Sequence, residues 1–491
     1  MRTTLIIPLL LLLSASADAK DQISESVVKI YSTLREPNFA RPWTKDSPSE
    51  SSGSGVILAG NRILTNAHVV AYASQVFVQA NQSTERVRAK VKAFVPGLDM
   101  AIIEVQSPGF FEQRPPLPLA DNLPAMKQTV SVYGYPLGGE QLSITQGVVS
   151  RIEYHSVAYG CSAVRIQVDA ALNPGNSGGP AVSDGKLIGL VFSKLSAGEN
   201  IGYLLAAEEV KMLLKALEKG PYPGKLQLHE EVATTENEAL RAKLGLEKEA
   251  GVLIVQPFSN KPDYPLKRWD VLLKVGDQPL DSQGNVKVMD ELRLSYQYLV
   301  PRLARDGHVK LTVFRDRKTI EVNAPVRART DLVMPPLLGK YPRYFIYGPM
   351  VFTQATQDVA ARFASSAVGA MYTTYYKNPI LPRLLDQSSF AGEEIVALTH
   401  LLPHKTSKGY SLPAFSAVSR VNGTQVRNLA HLVELLRDAA GEFLVVELTG
   451  PTEPLVFRRA EVLQATEEIL ADEGIRKQYS DDLENVWHKG K

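Results

Sequence analysis

Short runs of alternating apolar and polar residues, punctuated by glycine, proline and asparagine, fill the chain from about Ile23 to Leu205 and predict strands. Val148–Ile152, Arg165–Val168 and Leu187–Phe192 have this period, while Gly53 to Val70 reads as two apolar strands joined by a Gly60-Asn61 turn. Glu36 to Ser52, rich in proline and serine, interrupts the pattern as a loop. The period then changes: Ala207 to Lys219 has helical apolar spacing and stops at Gly220, before Pro221-Tyr222-Pro223-Gly224. Beyond this boundary come strands at Gly251–Val255 and Trp269–Gly276, a helix over Met289–Leu299 and a hairpin over Val309–Val322. After a linker from Arg327 to Tyr341, a similar order recurs through Tyr344–Phe352, Glu394–Leu398, Ala417–Gly423, the helix Leu429–Leu436 and Phe443–Leu448. From Leu463 onward the chain is charged and reads as helical or flexible.

Within the first region three chemically suggestive residues stand at strand ends. His68 follows the strand that ends Leu64-Thr65-Asn66-Ala67, and Asp99 stands at the mouth of the apolar run Met100-Ala101-Ile102-Ile103. Ser177 lies in Asn173-Pro174-Gly175-Asn176-Ser177-Gly178-Gly179-Pro180, where glycines allow backbone angles that aim amides and a hydroxyl at one point. A serine hydroxyl needs an imidazole to take its proton, and the imidazole needs a carboxylate to hold its tautomer. The order His, Asp, Ser is that of the chymotrypsin-like double β-barrel, not of subtilisins or α/β-hydrolases.

These segments resemble the HtrA or Deg (protease Do-like) serine endoproteases. Glu199-Asn200-Ile201-Gly202-Tyr203 and Tyr133 to Gly139 are similar to further family segments, and Glu36 to Trp43 and Ser480-Asp481-Asp482-Leu483 to the plant-type Deg branch. The resemblance implies a mainly β fold, a chymotrypsin-like double β-barrel followed by two PDZ-like α+β domains. The expected boundaries are a protease domain at 20–220, a first PDZ domain at 225–326, a divergent second at 340–462 and a charged tail at 463–491. It implies a catalytic triad of His68, Asp99 and Ser177, and an oxyanion hole from the amides of Gly175, Asn176 and Ser177. It places the substrate pocket at Leu190, Val191, Phe192 and Tyr203; no acidic residue occurs from Leu190 to Leu195, which favours apolar over basic side chains. The carboxylate-binding loop of the first PDZ domain would fall on Lys225, Leu226, Gln227 and Leu228, with Gln227 where a glycine is usual. In the second, Pro349 removes an amide from the strand that offers its edge to a ligand, pointing to subunit contacts rather than tail binding. Homo-oligomers built on trimers are implied, and no cofactor or metal.

Composition narrows the function. A length of 491 residues suits several modules, and a formal charge of +2 gives no basic field for nucleic acid. Arg2, the apolar run Leu5 to Leu13 and Ala17-Asp18-Ala19 form a secretory signal at 1–19, implying export to a periplasm or cell envelope. No later run is apolar enough to span a bilayer as a helix. Cys161 is the single cysteine, so no internal disulfide forms, and a small buried residue suits it better than a reactive thiol. The expected function is ATP-independent degradation of unfolded or misfolded proteins, with a peptide activator at the first PDZ domain as a further partner. A holdase chaperone or PDZ scaffold is the alternative.

Overall fold

The computed structural model describes residues 22–194, 201–328, 331–365 and 367–489, so the signal segment and Glu199 and Asn200 lie outside the described residues. The chain forms two compact units, one running to Leu34 and over Glu50–Arg329, the other made of Arg35–Ser49 and Thr330–Lys491.

The first unit opens with two closed six-stranded barrels. Strands β1 (Val27–Leu34), β2 (Ser49–Leu58), β3 (Arg62–Thr65), β4 (Ala73–Ala80), β5 (Arg86–Val95) and β6 (Met100–Val105) close in the order β1-β2-β3-β6-β5-β4. Strands β7 (Thr129–Gly134), β8 (Ser143–Ala158), β9 (Cys161–Val168), β10 (Pro180–Ser183), β11 (Lys186–Lys194) and β12 (Gly202–Ala206) close as β10-β11-β12-β9-β8-β7. Alternation along the strands gathers Val28, Ile30, Ile57, Ile63, Ala101 and Ile103 into one first-barrel core and turns Val56, Leu58, Leu64 and Met100 the other way. That second set packs with Leu187, Leu190, Phe192 and Leu205 of the second barrel and with Val210 and Leu213 of the helix Ala207–Leu217. With both faces buried, these strands read as near-continuous apolar runs. Cys161 shares this core, and burial pushes its thiol up to about 11, which keeps it protonated and unreactive.

A five-stranded path follows, in the order Glu231–Thr234, Val252–Gln256, Val271–Val275, His308–Arg315 and Lys318–Pro325. The helix expected over Met289–Leu299 is instead a hairpin, Asn285–Met289 with Leu292–Ser295, and helical turns begin only at Tyr296. The hairpin's apolar residues Val288, Leu292 and Leu294 belong to the cluster that holds Ile152 and Val149 of β8. Docking on the barrel therefore overrides local helical spacing.

Where the barrels give way to this sheet, Lys225 and Glu209 form an ion pair, with Lys225 Nζ 2.7 Å from each carboxylate oxygen. Both side chains are 1% exposed, and Glu209 Oε1 also accepts from Val164 N at 2.9 Å. Lys225 Nζ stands 4.8 Å from the centre of the Tyr154 ring. Replacing Lys225 with methionine strands a buried carboxylate and is expected to destabilise the unit by about 3–5 kcal/mol. A lowered urea midpoint checks this, and the double variant with Glu209→Leu should recover much of the loss.

The second unit is a six-stranded path in the order Tyr344–Tyr347, Met350–Gln354, Val396–Leu401, Ser416–Val421, Phe443–Leu448 and Leu455–Arg458, against the helix Leu429–Arg437. Gly348 and Pro349 fold the single strand expected at Tyr344–Phe352 into a hairpin. Pro349 thus sits in the turn, and the edge of Met350–Gln354 is covered by Tyr344–Tyr347 of the same chain. The charged stretch after Leu463 is not a loose tail. The helix Arg459–Asp472 buries Val462, Ala465 and Ile469, and Trp487 packs 5.1 Å from the Phe345 ring. The loop expected at Glu36–Ser52 also largely belongs here: Phe39 packs with Leu337 and Val359, Trp43 lies 6.2 Å from Tyr344, and Thr399 Oγ1 donates to Ala40 O at 3.2 Å.

Candidate active site

The three candidate residues stand at strand ends. Ala67–Val70 is one helical turn whose Val69 and Val70 are buried, which leaves His68 on the outer side with half of its side chain exposed. Asp99 follows the tight turn Pro96–Leu98 in left-handed conformation, φ 48°, and is flanked by the buried anchors Leu98 and Met100. The bend turns its carboxylate onto His68. Asp99 Oδ1 accepts from His68 N at 3.0 Å, and Oδ2 lies 2.8 Å from Nδ1. One carboxylate fixes both the backbone and the ring, so Nδ1 is the donor and Nε2 is left as a base. Asn66 Nδ2 donates to Asp99 O at 2.9 Å and fixes the backbone behind the carboxylate.

The turn from Asn173 to Ser177 is held by its carbonyls. Asn173 O accepts from Asn176 N at 3.0 Å, Pro174 O from Leu137 N at 2.7 Å, Asn176 O from Gly179 N at 2.9 Å and Ser177 O from Ser54 N at 2.8 Å. Gly175 O accepts from Ser54 Oγ at 2.8 Å. In a trans peptide the carbonyl and the following N–H point opposite ways, so anchoring Pro174 O and Asn176 O turns the amides of Gly175 and Ser177 outward. Neither amide has a backbone acceptor among the described residues. Asn176 N is engaged by Asn173 O, so of the three amides expected at the anion site it is the one already bonded within the turn. Gly175 has φ 99°, and a Cβ there would lie 2.4 Å from Tyr135 O; at Gly178, φ 84°, it would lie 2.2 Å from Ser54 O. Only glycine meets either requirement. Gly178 also abuts Asn66 N, which brings the serine turn against the segment leading to His68.

Residues 53–190 match the trypsin-like peptidase domain family, and residues 333–482 the PDZ domain family. Over 488 residues the chain is 32% identical to putative protease Do-like 3, mitochondrial, of Arabidopsis thaliana, an alignment covering 96% of this chain and 83% of that protein. Protease Do-like 4, mitochondrial, of the same plant is 33% identical, over 93% of this chain and 85% of its own length. The chain belongs to the protease Do-like family. This HtrA/Deg protein, of the plant-type branch, is a serine endopeptidase. The solved HtrA-type protease AlgW with tripeptide is similar to the Do-like chain at 25% identity and a TM-score of 0.50, over 64% of this chain and 97% of its own.

Two other expected sites of the Do-like protease have defined surroundings in the structure. Leu190 is 0% exposed and Val191 2%, and Phe192 and Tyr203 are also buried, their rings 6.4 Å apart. These side chains belong to the barrel cores, and the backbone of Val191 borders the serine turn, bonded to Gly178 N and Gly179 O. The PDZ ligand loop is also engaged. Gln227 N donates to Arg327 O at 2.9 Å, and Lys225 is in its buried ion pair. Leu228 N donates to Gln297 Oε1 at 3.1 Å while Gln297 Nε2 donates to Leu228 O at 2.7 Å, so a side-chain amide holds both backbone groups as a neighbouring strand would. Leu226 packs against the sheet core. Among the described residues no group of three His, Cys, Asp or Glu side chains could hold a metal ion.

Sequence reasoning passed over Ser54, which is fully buried between Gly53 and Gly55, and Thr65, whose Oγ1 donates to Ser54 O at 2.7 Å. The Gly-Ser-Gly triplet was the available signal.

Proposed function

We propose that this Do-like protease is exported and hydrolyses unfolded or misfolded polypeptides with Ser177 as nucleophile, His68 as base, Asp99 as the group orienting it, and the amides of Gly175 and Ser177 as oxyanion hole. The observation that carries the reading is the double hold of Asp99 on His68 beside a turn whose carbonyls are all anchored. In that reading Ser177 Oγ bonds to the scissile carbonyl carbon as its proton passes to His68 Nε2, and the carbonyl oxygen takes the charge under the two amides. His68 returns the proton to the leaving amine as the C–N bond breaks. Water then attacks the acyl-enzyme with His68 again as base, releasing the carboxylate and restoring Ser177.

The self-paired Leu228 and the covered edge of Met350–Gln354 weigh against a scaffold whose work is capturing peptide tails. Export rests on the Arg2, Leu5–Leu13 and Ala17-Asp18-Ala19 pattern. The test is a reduced, unfolded model protein incubated with the full chain, with and without a serine-directed fluorophosphonate, following peptide release and client aggregation together. Peptides released only by the unlabelled enzyme are expected. Suppressed aggregation with no peptides at all would replace the protease reading with the holdase one.

A further inference from the structure

We propose that Ser54 is a positioning residue for the oxyanion turn, an inference that rests on Ser177 acting as the nucleophile. The bonds around it form a small bracket. Ser54 Oγ donates to Gly175 O at 2.8 Å and accepts from Tyr135 N at 2.8 Å, while its own N donates to Ser177 O at 2.8 Å and its O accepts from Thr65 Oγ1 at 2.7 Å. One residue, 0% exposed, therefore joins the serine turn, the end of β7 and the strand that leads to His68.

The two peptide planes that meet at Gly175 are held from different directions. Leu137 N holds Pro174 O, and Ser54 Oγ holds Gly175 O. Leu137 sits two residues after Tyr135, whose amide is the donor to Ser54, so the same hydroxyl steadies both holds. Take the hydroxyl away and Gly175 O and Tyr135 N lose their shared partner in a space closed to water. A buried carbonyl without a donor is costly, and turning the Gly175–Asn176 plane toward another donor relieves that cost while straining the bond of Asn176 N to Asn173 O. With φ at 99°, glycine leaves that rotation free of a Cβ barrier, and the rotation carries the neighbouring amides out of line. Ser54 touches neither substrate nor reacting atoms; it acts through the orientation of Gly175 and Ser177.

A positioning role differs measurably from a merely structural one, because misaligned amides weaken the transition state more than the ground state. Ser54→Ala and Ser54→Cys are compared with the parent in the full chain, at a temperature well below each thermal midpoint. The readouts are kcat and KM on a peptide substrate and the affinity of a peptide aldehyde, whose adduct with Ser177 places an oxygen in the anion site. For Ser54→Ala, kcat falls by about 10- to 100-fold with KM nearly unchanged, and aldehyde affinity falls in parallel. The cysteine variant, which keeps a weak donor in nearly the same volume, recovers part of the loss. Active-site titration confines each value to folded protein, so a variant that only folds poorly shows fewer sites with parental kcat, and that result overturns the proposal. Parental kcat in all folded Ser54→Ala, or a rise in KM alone, overturns it as well. If Ser177→Ala still hydrolyses the peptide, the nucleophile reading fails first, and the two failures are told apart.

Discussion

Replacing Ser177 with alanine is expected to lower kcat on unfolded chains by about 10⁶-fold while leaving the thermal midpoint close to the parent's. The fold holds this residue through its carbonyl, which Ser54 N bonds at 2.8 Å, and its side chain is only half-buried, so losing one oxygen removes little packing. What disappears is the hydroxyl proposed to form the acyl bond. The rest of the site is unchanged, so binding of an uncleaved client should persist and the variant should still slow aggregation. Release of labelled peptides against an active-site-titrated parent measures the ratio, and a fall of less than tenfold would move the nucleophile elsewhere.

The second large effect is expected from Asp99→Asn, at about 10⁴-fold in kcat at neutral pH with the fold intact. The left-handed angle of 48° at this position is one that asparagine adopts readily, so the backbone bend survives. An amide oxygen can still accept from His68 N, now 3.0 Å from Oδ1. The change falls on the other atom, where an NH2 replaces the oxygen nearer to Nδ1, at 2.8 Å against 3.1 Å for Oδ1. Two donors cannot face each other, so the ring proton moves to Nε2, the nitrogen proposed to receive the proton of Ser177. Fluorophosphonate labelling should slow to a similar degree with an unchanged circular dichroism spectrum, and parental labelling would show that Asp99 does not set the tautomer.

The barrels and the three segments around His68, Asp99 and Ser177 were legible because their signals are local: alternating apolar residues for strands closed on both faces, and glycines where a turn must pass between carbonyls. What escaped depended on distant partners. The segment Met289–Leu299 has helical spacing, yet the barrel face at Ile152 recruits Val288, Leu292 and Leu294 as a hairpin. The stretch after Leu463 is dominated by charge, and the few residues that bury it, Val462, Ala465 and Ile469, are spread along one helix face. Leu190 and Val191, which the resemblance assigns to the substrate pocket, send their side chains by alternation into two different cores. The family resemblance implies Asn176 as an anion donor, and its bond to Asn173 O cannot be read from spacing alone.

The second unit is assembled from Arg35–Ser49 and from Thr330–Lys491, which gives it an order of manufacture. During synthesis the short piece emerges first, with Phe39 and Trp43 able to pack against none of their partners. Those partners, Leu337, Val359 and Tyr344, are translated some three hundred residues later, which at about 5–20 residues per second is a delay of roughly 15–60 seconds. Both barrels have time to close before the unit can be completed. A ribosome that stops after the barrels therefore leaves a protease body carrying two unsheltered aromatic residues on a loop, a mark by which unfinished copies can be distinguished from finished ones.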